Sequence, residues 1–362
     1  MNPNKQVGFS EQDVIITLLL VTNTTLDIEL AALKKMTEKH SSTAVIAGAV
    51  AFYFVISIST VFANKYILSS NEYTFPAMTM TLVQLVFAVI LQTISHPIVP
   101  NFIPKPEFDL ERAKQIAPLS ILFIGMLVFN NLCLQVADVL LYQIARSLSI
   151  CFTALFVYVL HHQKTSMNVL YCCGVVLIGY IIGVVGKSNL EQVGFTWLGV
   201  FYGLLSSAFV ALYGIFVKSR MQIVSNQWVL MLYNNIISGV LLFVVCLVTG
   251  DFSEALNSPH LYDGRFIFVL IISSILGYLI NVATFLQINV TSSLTHTISG
   301  TCKACVQSLL GAVVFGDQLD STSVLGTFIS IFGSMAYTIV KGRESAPKVE
   351  NQEQSTNPSD KV

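Results

Sequence analysis

Arg146 and Lys303 are cations set inside long apolar stretches, and no acidic residue stands near either of them in the chain. On insertion scales a lone cation at the middle of a bilayer costs about 2.5–3.5 kcal/mol. Each therefore needs a polar cavity, an anionic partner, or both. A guanidinium offers a planar fork that matches phosphate oxygens two at a time, whereas an ammonium is a compact point charge. Together the pair suits a diphosphate. Arg146 has a structural alternative, in which it bonds backbone carbonyls at a gap in a helix.

Around Lys303 the chain reads Leu294-Thr295-His296-Thr297-Ile298-Ser299-Gly300-Thr301-Cys302-Lys303-Ala304. His296, Ser299 or Gly300, Lys303 and Gln307 recur at three- and four-residue steps, so one helix face carries a polar stripe. Gly300 leaves room for a ligand to approach the backbone. His296 serves equally well as a hydrogen-bonding partner inside the bundle. Further back, Tyr233-Asn234-Asn235 places an aromatic ring beside two carboxamides that can donate to and accept from a base edge. Asparagine inside a span can also tie helix to helix.

These residues need a scaffold, and the composition defines it. Of 362 residues 54% are hydrophobic and only 11% charged, with a mean hydropathy of +0.71. Ordinary soluble proteins carry roughly 25% charged residues, so this chain is built for lipid. The net charge of −1 gives no reason to expect nucleic acid. Seven cysteines all fall within apolar stretches, which argues against a disulfide framework, and Cys302-x-x-Cys305 reads as buried apolar helix. No metal or cofactor is expected, and no carboxylate constellation suited to an enzyme is visible.

Apolar runs long enough to span about 30 Å of hydrocarbon occur at 44–64, 75–95, 117–136, 139–160, 168–186, 195–217, 228–248, 266–288, 293–315 and 323–341. No Asp or Glu lies inside them. Residues 1–43 read as a tail, in which the apolar run Val14–Val21 is too short to span. Residues 342–362 read as a disordered polar tail. With ten spans both tails share one side, and 14 of the 19 Lys and Arg residues fall on that side against three on the other. The excess predicts a cytosolic location for both termini. The sequons at Asn23 and Asn289 then face the cytosol and stay unglycosylated.

A shift of 154 residues lays the second half on the first. Ser120-Ile121-Leu122 meets Ser274-Ile275-Leu276, Cys151 meets Cys305, Gly179 meets Gly333, and Arg146 meets Gly300, three residues from Lys303. Each half holds an odd number of spans, so the second must enter the membrane from the opposite side. The expectation is two inverted five-helix repeats, 44–186 and 195–341, with a substrate site near the midplane where they meet. Without carboxylates along the path, exchange of one anion for another is simpler than ion coupling.

From about Phe52 to Lys341 the chain resembles the nucleotide-sugar transporters of the drug/metabolite transporter superfamily, most closely their Golgi GDP-fucose branch. The resemblance rests on Phe129-Asn130-Asn131-Leu132-Cys133-Leu134, Tyr142 through Arg146-Ser147-Leu148, Leu232-Tyr233-Asn234-Asn235, and Leu294 through Cys305. It implies an all-α membrane protein of the drug/metabolite transporter fold, resident in the Golgi membrane, that exchanges cytosolic GDP-fucose for luminal GMP. It implies guanine contacts from Tyr233, Asn234 and Asn235, and nucleotide-sugar contacts along Ser299-Gly300-Thr301-Cys302-Lys303, with Lys303 on phosphate. Its implied partners are GDP-fucose, GMP and the lipid bilayer, with a homodimer left open. Leu232 stands where related GDP-sugar carriers have an aromatic, and the Ser299–Cys302 pattern differs from the GDP-mannose one. The second departure points away from mannose and toward the fucose branch, while the first keeps open another nucleotide sugar or a phosphorylated metabolite as cargo. A membrane-embedded enzyme and a receptor that does not transport are the rivals from other classes. Glu107, Asp109 and Glu111 are the acidic cluster an enzyme would draw on, and no scaffold for them is visible in the sequence.

Overall fold

The computed structural model describes residues 43–69, 72–98, 109–162, 165–188, 197–220, 224, 226–291, 293–315 and 321–345. The apolar run Val14–Val21 of the expected tail and Asn23 lie outside these residues, as does the polar tail beyond Ser345. Among the described residues the secondary structure is helical, and ten segments are long and apolar enough to cross a membrane. In hydrocarbon every backbone N–H and C=O must be paired within its own segment, so an apolar run of this length has to be a helix. The helices are α1 (Thr43–Ser69), α2 (Ala77–Ile98), α3 (Leu110–Val136), α4 (Val139–Ser147), α5 (Ser149–His161), α6 (Met167–Ser188), α7 (Trp197–Arg220), α8 (Gln227–Thr249), α9 (Asp251–Leu256), α10 (Gly264–Val290), α11 (Ser293–Phe315) and α12 (Ser321–Ser345).

Several boundaries differ from the sequence expectation, each for a local reason. The third span starts at Leu110 because Asp109 caps it, its Oδ1 accepting from Glu111 N–H at 3.0 Å. Arg112 and Lys114, expected in a loop, sit on its first turns and pair with Asp109 and Glu111. Of the acidic cluster, Asp109 and Glu111 therefore have a scaffold after all, as a capping residue and a first-turn glutamate, both favourable at a helix N-terminus, while Glu107 lies outside the described residues. Lys65, expected outside the first span, lies within α1 and is 7% exposed. Its ammonium donates to the carbonyls of Leu134 at 2.9 Å and Ala137 at 2.6 Å, closing the C-terminal end of α3. The last helix continues to Ser345, into the expected tail. Between the seventh and eighth spans lies structure the sequence did not announce. Gly250, at φ +81°, ends α8 in the left-handed conformation, and α9 and a short 3-10 turn, Pro259–Tyr262, follow.

The fourth span is two helices rather than one. At Leu148 the N–H bonds back to the carbonyls of Ala145 and Arg146, a tight turn that separates α4 from α5. The break falls two residues past Arg146.

Helices that correspond under the 154-residue shift pack against one another in antiparallel pairs. On α6 and α12, Gly179 lies against Ser330 and Gly326, Gly183 against Gly326, and Gly333 against Val176. Val176 and Ser330 are themselves 154 apart, so the contact between Gly179 and Ser330 has its mate in the one between Gly333 and Val176. On α4 and α11, Gly311 meets Val139 while Gln143 donates to the Ala304 carbonyl. On α2 and α8, Gln92 donates to the Trp228 carbonyl, and at the other end Thr79 donates to Asp251 just beyond α8. The remaining large pairings, α3 with α7 and α1 with α10, exchange with each other under the same shift. Asp109 and Asp263, also 154 apart, cap α3 and α10 in the same way.

The end of the bundle away from Thr43 and Ser345 is packed shut. Its core joins Ile67 and Leu68 of α1, Met80 of α2, Leu134 of α3, Leu141 of α4, Val184 of α6, Val200 of α7 and Phe266 of α10. Tyr73 crosses that end to donate to Asp263 at 2.7 Å, which holds the Asp263 carboxyl below the usual carboxylate range. At the end bearing Thr43 and Ser345 the packed clusters are smaller and separate, one around α3, α7 and α8 and another around α2, α8 and α10.

Candidate functional site

α4 is the most tightly held segment near the centre, and glycines hold it. A Cβ on Gly183 of α6 would come within 2.7 Å of Ile144, and one on Gly203 of α7 within 2.5 Å of Ala145. One on Gly311 of α11 would meet Val139 at 2.7 Å. Only glycine permits such approach, so three neighbouring helices clamp the two turns that carry Arg146. Ser207 of α7 adds a hydrogen bond to the Ala145 carbonyl at 2.6 Å.

The guanidinium of Arg146 donates through Nη1 to Tyr142 Oη at 2.9 Å and Asn130 Oδ1 at 3.3 Å. Its side chain is exposed although these partners and the second cation surround it. It therefore faces an internal cavity and not lipid. Lys303 differs in both respects. It is 9% exposed, it donates to Ser57 Oγ at 2.6 Å, and its ammonium lies 5.7 Å from the centre of the Tyr53 ring. Arg146 and Lys303 are near enough for their charges to repel, and Tyr53 lies within the field of both. Among the described residues the ion pairs are those on the first turns of α3, so no carboxylate neutralises either central cation.

The rest of the stripe on α11 lines up beside them. His296 packs edge-on to Tyr53 with ring centres 4.7 Å apart, and its Nδ1 lies 2.7 Å from Gln287 Oε1. Ser299 is fully buried. Among the described residues a Cβ on Gly300 would meet only the Tyr53 hydroxyl, at 3.7 Å. Gln307 is buried with neither side-chain polar atom hydrogen-bonded among the described residues.

The carboxamide motif on α8 is split. Tyr233 is fully buried in the cluster with Ile116 and Leu119, and its hydroxyl accepts from Asp109 N–H at 2.7 Å. It faces α3. Asn234 accepts from Ser120 Oγ at 2.9 Å and donates to Tyr213 Oη at 3.2 Å, beside a cavity of about 70 Å³ that Phe123, Trp228 and Asn281 also line. Asn235 is buried and its Nδ2 has no hydrogen-bond partner among the described residues.

Sequence reasoning did not single out Tyr53 and Ser57 of α1, nor Asn130 and Tyr142 as the partners of Arg146. A signal existed for the first pair: Tyr53, Ser57, Thr60 and Asn64 follow three- and four-residue steps along an otherwise apolar span. Asn64 extends that stripe into a buried network, bonding Gln84, Asn131 and Ser273.

Comparison with known proteins agrees with this architecture. The description of the Triose-phosphate Transporter family matches residues 44–338. The chain is similar to GDP-fucose transporter 1 of Dictyostelium discoideum, with 41% identity over 304 residues that cover 83% of this chain and 81% of the relative. It is also similar to the "GDP-fucose transporter, Golgi" of Drosophila melanogaster, with 34% identity over 303 residues covering 82% of this chain and 89% of that one. A solved crystal structure shares the fold at a TM-score of 0.52 and 13% identity, covering 83% of this chain and 98% of that chain. The chain belongs to the Triose-phosphate Transporter family.

Proposed function

We propose that this protein exchanges GDP-fucose for GMP across the Golgi membrane, taking GDP-fucose from the cytosol to the lumen, with both termini cytosolic. The observation that carries the proposal is that Lys303, against the Tyr53 ring, and Arg146, close enough for their charges to repel, have no carboxylate partner among the described residues. Such a site has a permanent demand for anion, and a diphosphate meets it with oxygens for both the guanidinium fork and the ammonium. The names of the relatives supply the sugar nucleotide and, in the Drosophila protein, the compartment.

In this reading the two halves are inverted repeats, supported by the antiparallel packing of corresponding helices and by the break in the fourth span beside Arg146. The shut end is luminal, and Arg146 faces a cavity reached from the cytosol. Asn234 and Asn235 take the guanine edge, with Tyr233 supporting them from behind. Ser299, Gly300 and His296 border the ligand along α11. GMP carries the base and one phosphate of GDP-fucose, so it can use the same cations on the return journey. A second reading, a phosphorylated metabolite without a base, is favoured by the family's description and by Leu232, which is buried where an aromatic would open the base motif.

Thermal denaturation of the purified protein separates these readings, since a ligand that binds only the folded state raises Tm with its concentration. GDP-fucose and GMP should stabilise, and UDP and CMP should not. Stabilisation by triose phosphate but not by GMP would replace the nucleotide reading with the second one.

A further inference from the structure

Lys303 belongs to the second half of the chain, and its hydrogen-bond acceptor belongs to the first. Ser57 Oγ lies 2.6 Å from the ammonium, buried at 6% exposure, and Tyr53 presents its ring one turn away on the same face of α1. α1 also meets α11 where Tyr53 packs on His296 and Phe62 on Phe315, but among the described residues the Ser57 hydroxyl is the group on α1 that holds the Lys303 ammonium. A hydroxyl and a ring face are neutral, and both are weaker partners for an ammonium than a phosphate oxygen.

We propose that Ser57 and the substrate's phosphate compete for Lys303, and that this competition makes transport an exchange. Resting on the transport reading above, the inference adds what happens to Lys303 when no phosphate holds it. Ser57 then takes the ammonium and braces α1 against α11 beside the central cations. An approaching phosphate draws Lys303 away, and the brace is released only while an anion is bound. The carrier therefore reorients loaded and stalls between loads. Arg146 cannot serve this purpose, since Asn130, Tyr142 and Arg146 all belong to the first half.

Ser57 is thus a positioning residue, and its loss has a signature that a ligand contact would not share. Ser57→Ala removes the competitor, so the apparent KM for cytosolic substrate should fall. It also leaves a buried ammonium short of an acceptor in the resting arrangement, which lowers the barrier to unloaded reorientation. Efflux of preloaded GMP into substrate-free buffer should then rise roughly tenfold, the scale of one hydrogen bond to a charged group. Ser57→Thr keeps the hydroxyl and should retain both the wild-type KM and the wild-type leak.

The assay uses proteoliposomes with the wild type and both variants, and monodispersity on size exclusion shows that each variant is folded. A raised KM in Ser57→Ala, or a leak equal to wild type, would overturn the proposal. If Ser57→Ala does not fold, Ser57→Cys carries the same test, since a thiol is a weak acceptor. If the wild type carries neither GDP-fucose nor GMP, the transport reading fails separately. The competition is then read from pyrophosphate binding, where Ser57→Ala should bind more tightly than wild type, and equal or weaker binding would reject it.

Discussion

The two central cations occupy opposite kinds of surroundings. Arg146 is exposed to the cavity, rides on a segment clamped by Gly183, Gly203 and Gly311, and is held by Asn130 and Tyr142 of its own half. Lys303 is buried and rests on Ser57 across the boundary between halves. A guanidinium fixed by its own framework can dock an anion without any other part moving. An ammonium shared between α1 and α11 cannot change partners without changing how those two helices are joined. In the proposed exchange, the ligand charge meets one stationary group and one that reports its arrival to a neighbouring helix.

The largest expected effect comes from the shared cation. Lys303→Ala should cut exchange by at least about a hundredfold, as truncating one member of a buried charged pair does, while the protein stays monodisperse. Near-normal uptake would remove Lys303 from the phosphate and erase the contrast. Arg146→Lys keeps the charge but loses the planar fork. It should raise KM about tenfold, with strict dependence on counter-substrate preserved. If this variant leaks instead, Arg146 too couples the halves.

A pair of glycine substitutions tests the clamp itself. Gly203→Val forces side-chain atoms into Ala145, and overpacking of this kind costs about 1–3 kcal/mol, so Tm and transport should fall together. Gly300→Ala adds its methyl where, among the described residues, only the Tyr53 hydroxyl is in reach, at an ordinary contact distance. Tm should be unchanged and KM should rise about tenfold, the lower end of what one methyl-scale change makes to recognition. A drop in Tm for Gly300→Ala would make that glycine a packing residue. The smallest effect is expected away from both cations. Asn235→Ala should weaken GMP by about tenfold or less and leave pyrophosphate affinity unaltered, as loss of one or two hydrogen bonds to a base would. Equal losses for both ligands would make Asn235 structural.

Much of this arrangement was legible in the chain because the bilayer allows so few solutions. Runs of apolar residues named the ten spans, and the cost of burying charge singled out Arg146 and Lys303 before any geometry was known. What the sequence hid depends on contacts between distant segments. The break at Leu148 has no proline or glycine to mark it, because backbone bonds to Ala145 and Arg146 close the turn. Lys65 looked like a loop residue, since only the fold brings the carbonyls of Leu134 and Ala137 within its reach. Tyr233 stands beside the two carboxamides in the sequence, yet its neighbours on α3 turn it away from Asn235 and toward Asp109. Ser57 was visible as part of a polar stripe, but a serine in a span usually bonds its own backbone. Its importance here comes from a residue 246 positions away.

The central claim is that an anion must occupy this pair of cations for the halves to move. The direct test is uptake of labelled GDP-fucose into proteoliposomes, with and without GMP loaded inside. The account predicts rapid uptake with internal GMP, almost none without it, and no competition from UDP-sugars. Uptake of equal rate into empty vesicles would contradict obligatory exchange, and absence of uptake by folded protein under both conditions would contradict GDP-fucose as its cargo.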